Sequence, residues 1–149
     1  MVTDPAIAED PSLANLSSGE FLDKVVTLET TRDLEFSTRV MMEGLRFKPS
    51  AATSVFYFAS QEVKLGKYTF QKDDILMVNF EGLGYNPTEW QRPMEFLPER
   101  FDNSNPLSLT PAGKKRHPMS WVPFHGGNRV CFGKTLAESK LRIMMTYLT

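Results

Sequence analysis

The chain has 149 residues, of which 41% are hydrophobic and 23% are charged, and its formal net charge is −1. These proportions are those of a soluble globular domain, and the near-neutral charge gives no reason to expect a nucleic acid or an anionic membrane as partner. A single cysteine excludes an internal disulfide framework. No apolar run approaches the roughly 18–20 residues of a membrane span, so we expect a soluble chain with no anchor, no signal peptide and no membrane contact of its own.

The first 33 residues are predicted to be an acidic lead-in followed by a short helix. Residues 1–16 contain two prolines and show no hydrophobic period, so no regular structure is expected there. The run Ser17-Ser18-Gly19-Glu20 is typical of a helix start. An apolar face follows it, made of Phe21, Leu22, Val25, Val26 and Leu28. This face indicates packing and carries no chemistry.

A second helix is predicted over residues 34–47, where Thr31 or Asp33 can supply the N-terminal cap. Glu43 and Arg46 lie one turn apart on this helix and can form a pair on the same face. From these two residues alone, the simplest interpretation is a solvated surface pair that contributes a few tenths of a kcal/mol, about the usual value for such pairs.

The pattern changes to that of β-strands between residues 54 and 80. We predict a buried strand over residues 55–58, a hairpin formed by Val63–Leu65 and Tyr68–Phe70, and a further strand over residues 75–78. Together with the helices on either side, these strands indicate an α+β fold that is mainly α with a small β-sheet.

An irregular segment rich in proline and aromatic residues follows, with Trp90, Pro93 and the run P-E-R-F at residues 98–101. A polar loop over residues 102–120 comes next and contains the charge run Lys114-Lys115-Arg116-His117. A run of this kind is most often a solvated face, and four residues are too few to indicate nucleic-acid binding.

Residues 124–134 hold the most informative motif, F-H-G-G-N-R-V-C-F-G-K, with the only cysteine, Cys131. Glycines in such a loop permit turns and close approach of the backbone to a bulky group. A thiolate held there can ligate a soft metal, haem iron included, and Arg129 offers a permanently charged fork to a carboxylate.

A last helix is predicted over residues 135–147, and the dipole of its N-terminus near Cys131 favours the thiolate. Its apolar stripe consists of Leu136, Ala137, Leu141, Met144, Met145 and Leu148. Such a stripe most often packs in a core.

Three other interpretations of the cysteine loop compete with metal ligation. A phosphate-binding loop requires glycine at position 128, where this chain has Asn128. A catalytic thiol requires a base such as His125 or His117, and nothing local fixes one. A lone cysteine is most often a small buried hydrophobe.

Five positions decide between these interpretations, because together they match F-x-x-G-x-R-x-C-x-G: Phe124, Gly127, Arg129, Cys131 and Gly133. The loop resembles the cysteine loop of the cytochrome P-450 haem-thiolate monooxygenases. The resemblance implies haem b as cofactor, with Cys131 as the ligand of its iron and Arg129 holding a propionate. It also implies that Phe124 packs beside the thiolate, that Gly133 lets the backbone approach the ring, and that Gly127 belongs to the same cofactor-binding set.

The resemblance extends over residues 34–149. Glu43 and Arg46 are similar to the E-x-x-R of the family's K helix, and residues 90–101 match its meander, W-x-x-P-x-x-F-x-P-E-R-F. It implies a buried structural triad of Glu43, Arg46 and Arg100 that holds the cysteine loop. Gly84 stands where many relatives carry histidine, so one family contact is in doubt.

The resemblance also implies a domain organisation and a function. Residues 1–33 are the lead-in and short helix, and residues 34–149 are the C-terminal haem-thiolate portion of an incomplete cytochrome P-450 fold, from the K helix into the L helix. The parent enzyme inserts one oxygen atom of O2 into a small apolar organic substrate and receives electrons from a reductase, for which the run at residues 114–117 is a candidate docking site. The distal helix that handles oxygen and protons in the family is absent, so the chain holds no catalytic residue and is expected to be an inactive fragment.

A eukaryotic parent is expected at the endoplasmic-reticulum membrane, facing the cytosol.

Two other classes of function stay open. A non-catalytic truncated protein would hold haem transiently through Cys131, or bind a partner through its apolar surface. A cysteine hydrolase predicts labelling of Cys131 by acyl-type inactivators and indifference to haem.

Overall fold

The computed structural model describes residues 7, 9–27 and 30–148. Its α-helices are α1 (Ser18–Val25), α2 (Thr30–Asp33), α3 (Glu35–Phe47), α4 (Phe80–Gly84) and α5 (Lys134–Leu148), and its strands are β1 (Tyr57–Phe58), β2 (Val63–Leu65), β3 (Tyr68–Phe70) and β4 (Ile75–Leu76). Single 3-10 turns cover Pro11–Leu13, Pro98–Phe101, Pro106–Ser108, Pro118–Ser120 and Gly127–Arg129. The predicted mixture of helices and small sheets is therefore confirmed.

Helix α1 begins where the sequence predicts, at a capping box. The Glu20 N–H donates to Ser17 Oγ (3.4 Å), and the Ser17 N–H donates to Glu20 Oε2 (3.0 Å). Val25 on its apolar face is buried in a small cluster with Ile7 and Leu34, against which Leu13 and Phe21 also pack. The expectation of no regular structure before residue 17 is wrong for Pro11–Leu13, which form a 3-10 turn; residues 1–6 and Leu28 lie outside the described residues.

Helix α3 agrees with its prediction to within one residue, but its predicted cap is wrong. Leu34 occupies the N-cap position and makes no side-chain capping bond. The reason is that Thr31 and Asp33 themselves belong to α2 and are not placed ahead of the first turn of α3. The boundary between residues 33 and 34 stays a prediction.

Two antiparallel pairs of strands make up the sheet region. Strand β1 pairs with β4, with Tyr57 opposite Leu76, and β2 pairs with β3 as the predicted hairpin. The prediction of a buried strand over residues 55–58 is wrong, because Val55, Phe56 and Phe58 are exposed. These three apolar side chains therefore remain at the surface of the described chain.

Helix α5 packs on α2 and α3. Its predicted stripe is only partly internal, since Leu136 and Met144 are exposed while Ala137, Leu141 and Met145 are half-buried; the Leu148 side chain lies outside the described residues. Burial of a helix face requires a partner, and the described chain supplies one for part of this face only. Within the described part, no helix combines the length and the apolar content needed to cross a bilayer.

Trp90 is the most deeply buried apolar side chain among the described residues. Its ring is 1% exposed, and its Nε1–H donates to Leu83 O at the end of α4 (3.0 Å). The ring packs against Phe101, with centroids 5.9 Å apart, and Phe101 packs against Trp121 at 5.2 Å. This row of three aromatic rings connects the irregular middle segment with the chain that enters the loop at residue 124.

Candidate functional site

The cysteine loop (residues 124–134) is closed by two backbone hydrogen bonds. The Cys131 N–H donates to Phe124 O (2.7 Å), which joins the two ends of the loop, and the Lys134 N–H donates to Cys131 O (3.2 Å) where α5 begins. Between these bonds, Gly127–Arg129 form one 3-10 turn. The loop therefore presents Cys131 at the start of a helix, with its thiol free and exposed.

The two glycines predicted for cofactor binding have different local reasons. Gly127 has φ +63°, a left-handed conformation that favours glycine, while a Cβ there would meet nothing within 4 Å. Gly133 leaves room beside the thiol, because the one atom that a Cβ would approach within 4 Å is Cys131 Sγ, at 3.9 Å. The left-handed backbone conformation therefore explains the glycine at position 127. The glycine at position 133 leaves open space next to the sulfur atom of Cys131.

The remaining predicted residues of the loop lie at or near the surface. Phe124 is half-buried and Arg129 is exposed. The Arg129 guanidinium makes no hydrogen bond or ion pair to another described residue. Val130 and Phe132 on either side of Cys131 are also exposed, Phe132 to 106%. An apolar surface of this kind around a thiol is suited to a large apolar ligand. The roles of these residues in cofactor binding stay predictions.

Neither histidine acts as a partner of the thiol. Among the described residues, His125 Nε2 lies 3.5 Å from Tyr57 Oη, and His117 Nδ1 accepts a hydrogen bond from the Met119 N–H (3.1 Å). The base that a cysteine nucleophile requires is therefore not assembled here. Also within the described part, no group of three or more His, Cys, Asp or Glu side chains is placed to hold a metal ion.

A cavity of about 450 Å3 adjoins the loop. Most of its lining is apolar, and of the described side chains that line it only Tyr57 and His125 are polar. The His125 ring also packs edge-on against Phe80, with centroids 4.9 Å apart. Gly126 forms part of the wall, where a Cβ would meet Met119 Sδ at 3.2 Å.

The predicted triad is brought together as an ion cluster that we call the arginine brace (Glu43, Arg46 and Arg100). The three side chains are completely buried. Arg46 donates from Nε to Glu43 Oε2 (2.7 Å) and from Nη2 to Oε1 (2.8 Å), and Arg100 Nε donates to Oε1 (3.1 Å). The interpretation of Glu43 and Arg46 as a solvated surface pair is wrong, because Arg100 and the segment around it cover them.

The other donors of the brace bind main-chain oxygens at the end of α4 and in the irregular segment that follows it. Arg46 and Arg100 reach five carbonyls between them, those of Gly84, Gln91, Arg92, Pro93 and Glu95. The Leu97 N–H in turn donates to Glu43 Oε1 (2.8 Å). Burial lowers the pKa of Arg100, and the Glu43 carboxylate opposes that effect. The brace thus fixes the path of a segment that has no regular secondary structure of its own.

Gly84 is a close contact of this brace. Its carbonyl accepts from Arg46 Nη1 at 2.7 Å, and a Cβ at this position would lie 2.5 Å from Arg46 O. Since Arg46 O is a backbone atom, any side chain at position 84 requires the main chain to move. The glycine at position 84 therefore allows α4 to lie directly against the backbone of α3.

Arg116 is a structural residue that the sequence analysis missed. Its guanidinium lies 4.2 Å from the centre of the Trp90 ring and donates to Leu107 O (2.9 Å) and Arg100 O (2.8 Å). Burial lowers its pKa, and the positive charge of Arg100 lowers it further. The interpretation of residues 114–117 as one solvated run is therefore wrong for Arg116, and no local pattern distinguishes it from the exposed Lys114 and Lys115.

Comparisons with known proteins agree on one family. A sequence model described as cytochrome P-450 matches residues 20–148. A probable cytochrome P-450 of Dictyostelium discoideum is 31% identical over 130 residues, which are 84% of this chain and 25% of the relative. A steroid 17-alpha-hydroxylase/17,20 lyase of Sus scrofa is 36% identical over 100 residues, which are 66% of this chain and 18% of the relative.

A solved structure agrees with them in fold. The retinoic acid-bound cyanobacterial CYP120A1 superposes with a TM-score of 0.73 at 23% identity, over 96% of this chain and 30% of the other. At 23% sequence identity, this structural similarity supports the assignment of the fold alone. The chain thus spans about a quarter of the length of the curated relatives it matches, and its fold is that of the corresponding part, as predicted.

Proposed function

The chain belongs to the cytochrome P-450 family, whose cofactor is haem iron, and from this premise we propose that residues 34–149 are the C-terminal haem-thiolate portion of a monooxygenase, preceded by a lead-in at residues 1–33. The observation that carries the proposal is the free, exposed Cys131 thiol at the start of α5. Thiolate is one of the ligands by which proteins hold haem iron.

The residues of the loop fit a haem group. Open space at Gly133 next to Sγ, and the apolar side chains of Val130 and Phe132, leave the thiol approachable by a flat apolar ring. When bound, the haem iron supplies the activation of dioxygen, one atom of which enters the substrate. Cys131 would ligate the iron, and Arg129 would donate its fork of N–H groups to a propionate.

The proposal extends to partners of stated chemistry. An apolar organic substrate is supported by the exposed apolar side chains beside β1 and by a steroid hydroxylase among the relatives. An electron-donor reductase is proposed to dock where Lys114 and Lys115 are exposed. For a eukaryotic parent we retain the endoplasmic-reticulum membrane, facing the cytosol, as the proposed location.

We further propose that this chain does not turn over by itself. It spans about a quarter of the length of its relatives, and the side chains of Val55, Phe56 and Phe58 are exposed among the described residues. We propose that other polypeptide covers these side chains in a full-length member of the family. The proposal therefore assigns the proximal ligand to this chain and the catalytic groups elsewhere.

The test is a haem titration of the purified chain, followed by the absorption spectrum of the reduced, CO-bound form. We expect a strongly red-shifted Soret band that is lost in Cys131→Ala and retained in Lys67→Ala, a control in the turn between β2 and β3. A spectrum that does not change in Cys131→Ala would contradict ligation by this thiol.

A second candidate function is a non-catalytic protein that binds a partner through its apolar surface. The exposed side chains Val55, Phe56 and Phe58 favour it. This function predicts that the chain binds its partner without thiolate ligation of haem. The spectrum of Cys131→Ala therefore distinguishes the second candidate function from the first proposal.

A further inference from the structure

His125 has a backbone conformation that a glycine would adopt with less strain. Its φ is +66°, in the left-handed region, and the two residues that follow are Gly126 and Gly127. Histidine is one of the few residues other than glycine found there with some frequency, but the conformation remains unfavourable for any residue with a Cβ. A strained residue within the cysteine loop points to a function for its side chain.

The side chain lies in the wall of the cavity that adjoins the cysteine loop. There it is paired with Tyr57, and the remainder of the described lining is apolar or glycine. The two polar atoms, His125 Nε2 and Tyr57 Oη, are 3.5 Å apart. This is the outer limit of a hydrogen bond, so the pair is loosely joined and open to a third polar atom.

Each arrangement of protons leaves the pair with a donor to spare. If the Tyr57 O–H donates to Nε2, the imidazole still carries an N–H at Nδ1; if Nε2–H donates to Tyr57, the phenol hydrogen is free to turn outward. Both groups can also donate together to one acceptor. A carboxylate is the acceptor that gains most, because hydrogen bonds to a charged oxygen are roughly twice as strong as those between neutral groups.

The cavity wall suits a carboxylate that arrives on an apolar ligand. No lysine, arginine, aspartate or glutamate is found among the described residues that line it, so no acidic group repels a carboxylate there, and the donors of the Tyr57–His125 pair have to offset its desolvation. Haem is such a ligand, with two propionate groups, of which the exposed Arg129 can hold one. His125 precedes the Gly127–Arg129 turn and Arg129 is its last residue, so the same loop can bind both propionate groups.

We propose that Tyr57 and His125 form a carboxylate-binding pair for the second propionate of haem. The inference rests on the proposed function, since it assigns further residues to the same cofactor. Tyr57 belongs to β1 and His125 to the cysteine loop, so a carboxylate bound by both would also tie the sheet to the loop. In this role they are binding residues and take no part in the chemistry at iron.

The test compares haem with its dimethyl ester, in which both carboxylates are blocked, as ligands of the whole chain. The variants are Tyr57→Phe, His125→Gly and the double variant, of which the first keeps the ring and the second relieves the left-handed strain. Tyr68→Phe is the matched control, because it removes a hydroxyl from an exposed tyrosine of the β2–β3 hairpin. Binding is measured by absorbance at equilibrium and needs no turnover.

We expect the double variant to bind haem roughly ten- to a hundred-fold more weakly, the loss expected for hydrogen bonds to a charged group. Its affinity for the dimethyl ester should stay within about twofold of that of the unaltered chain, and Tyr68→Phe should change neither. Equal losses for both ligands would overturn the inference in favour of apolar packing, and unchanged affinity for haem would overturn it outright. Absence of Cys131-dependent binding by the unaltered chain would instead overturn the proposed function, and the inference with it.

Discussion

The arginine brace and the cysteine loop use charged and polar groups in opposite ways. In the brace, Glu43, Arg46 and Arg100 are completely buried and their polar atoms are bound by one another or by carbonyls of the same chain. In the loop, the Cys131 thiol and the Arg129 guanidinium are at the surface and Phe132 is fully exposed. The polar groups of the brace are thus satisfied within the chain, whereas those of the loop are available to a ligand outside the described chain.

Because of this difference, we expect the brace to determine the stability of the fold and the loop to determine ligand binding. A buried charge is tolerated only when it is paired and hydrogen-bonded, so removing one member of a buried cluster leaves the others uncompensated. The brace contains two positive side chains and one negative one, and the five carbonyls that its arginines reach supply the remaining acceptors. An exposed group has no such dependence on its neighbours. Substitutions should therefore affect folding in the brace and ligand binding in the loop.

The largest effect is expected from Glu43→Gln. The change keeps the size of the side chain but removes the charge that faces two buried guanidinium groups, and breaking a buried ion cluster in this way costs about 3–5 kcal/mol. Urea unfolding of the purified chain measures the loss. Glu35→Gln on the same helix is the control, because Glu35 is exposed and its pair with Arg39 contributes less than about 1 kcal/mol. Equal midpoints for the two variants would show that the brace does not stabilise the fold.

A smaller loss is expected from Arg116→Ala. This change removes the guanidinium from the face of Trp90 together with its bonds to Leu107 O and Arg100 O, and we expect a loss of about 1–3 kcal/mol. Lys115→Ala, an exposed neighbour in the same charge run, should change the free energy of unfolding by less than about 0.5 kcal/mol. If both variants unfold alike, Arg116 belongs to the solvated run after all.

The sequence predicts α1, α3, α5 and the β2–β3 hairpin well because their period and turn residues are local, but it does not predict the short helices α2 and α4. It predicts the members of the brace through the family motifs, whereas the carbonyls that they bind depend on how residues 84–95 fold back on α3. Burial is the least predictable property. Residues 55–58 have the composition of a buried strand, yet Val55 and Phe56 are exposed, because burial is decided by what packs on a strand. The roles of Arg116 and His125 likewise have no local signal, since each depends on aromatic partners distant in sequence, Trp90 and Tyr57.

The smallest effect on folding is expected from Phe132→Ala, which tests the loop side of the comparison. Because the ring is fully exposed, its removal should change the free energy of unfolding of the ligand-free chain by less than about 0.5 kcal/mol. Phe80→Ala, which removes a buried ring of the same size, is the contrasting control and should cost about 3 kcal/mol or more.

The same variant, Phe132→Ala, tests where haem binds. With haem present, the free energy of unfolding of the unaltered chain increases with the logarithm of the ratio of haem concentration to dissociation constant. Phe132→Ala should gain less, because the exposed ring is one of the surfaces that haem is proposed to cover. A variant that gains as much as the unaltered chain would place the cofactor away from Phe132, and the exposure of this ring beside the thiol would need another ligand to explain it.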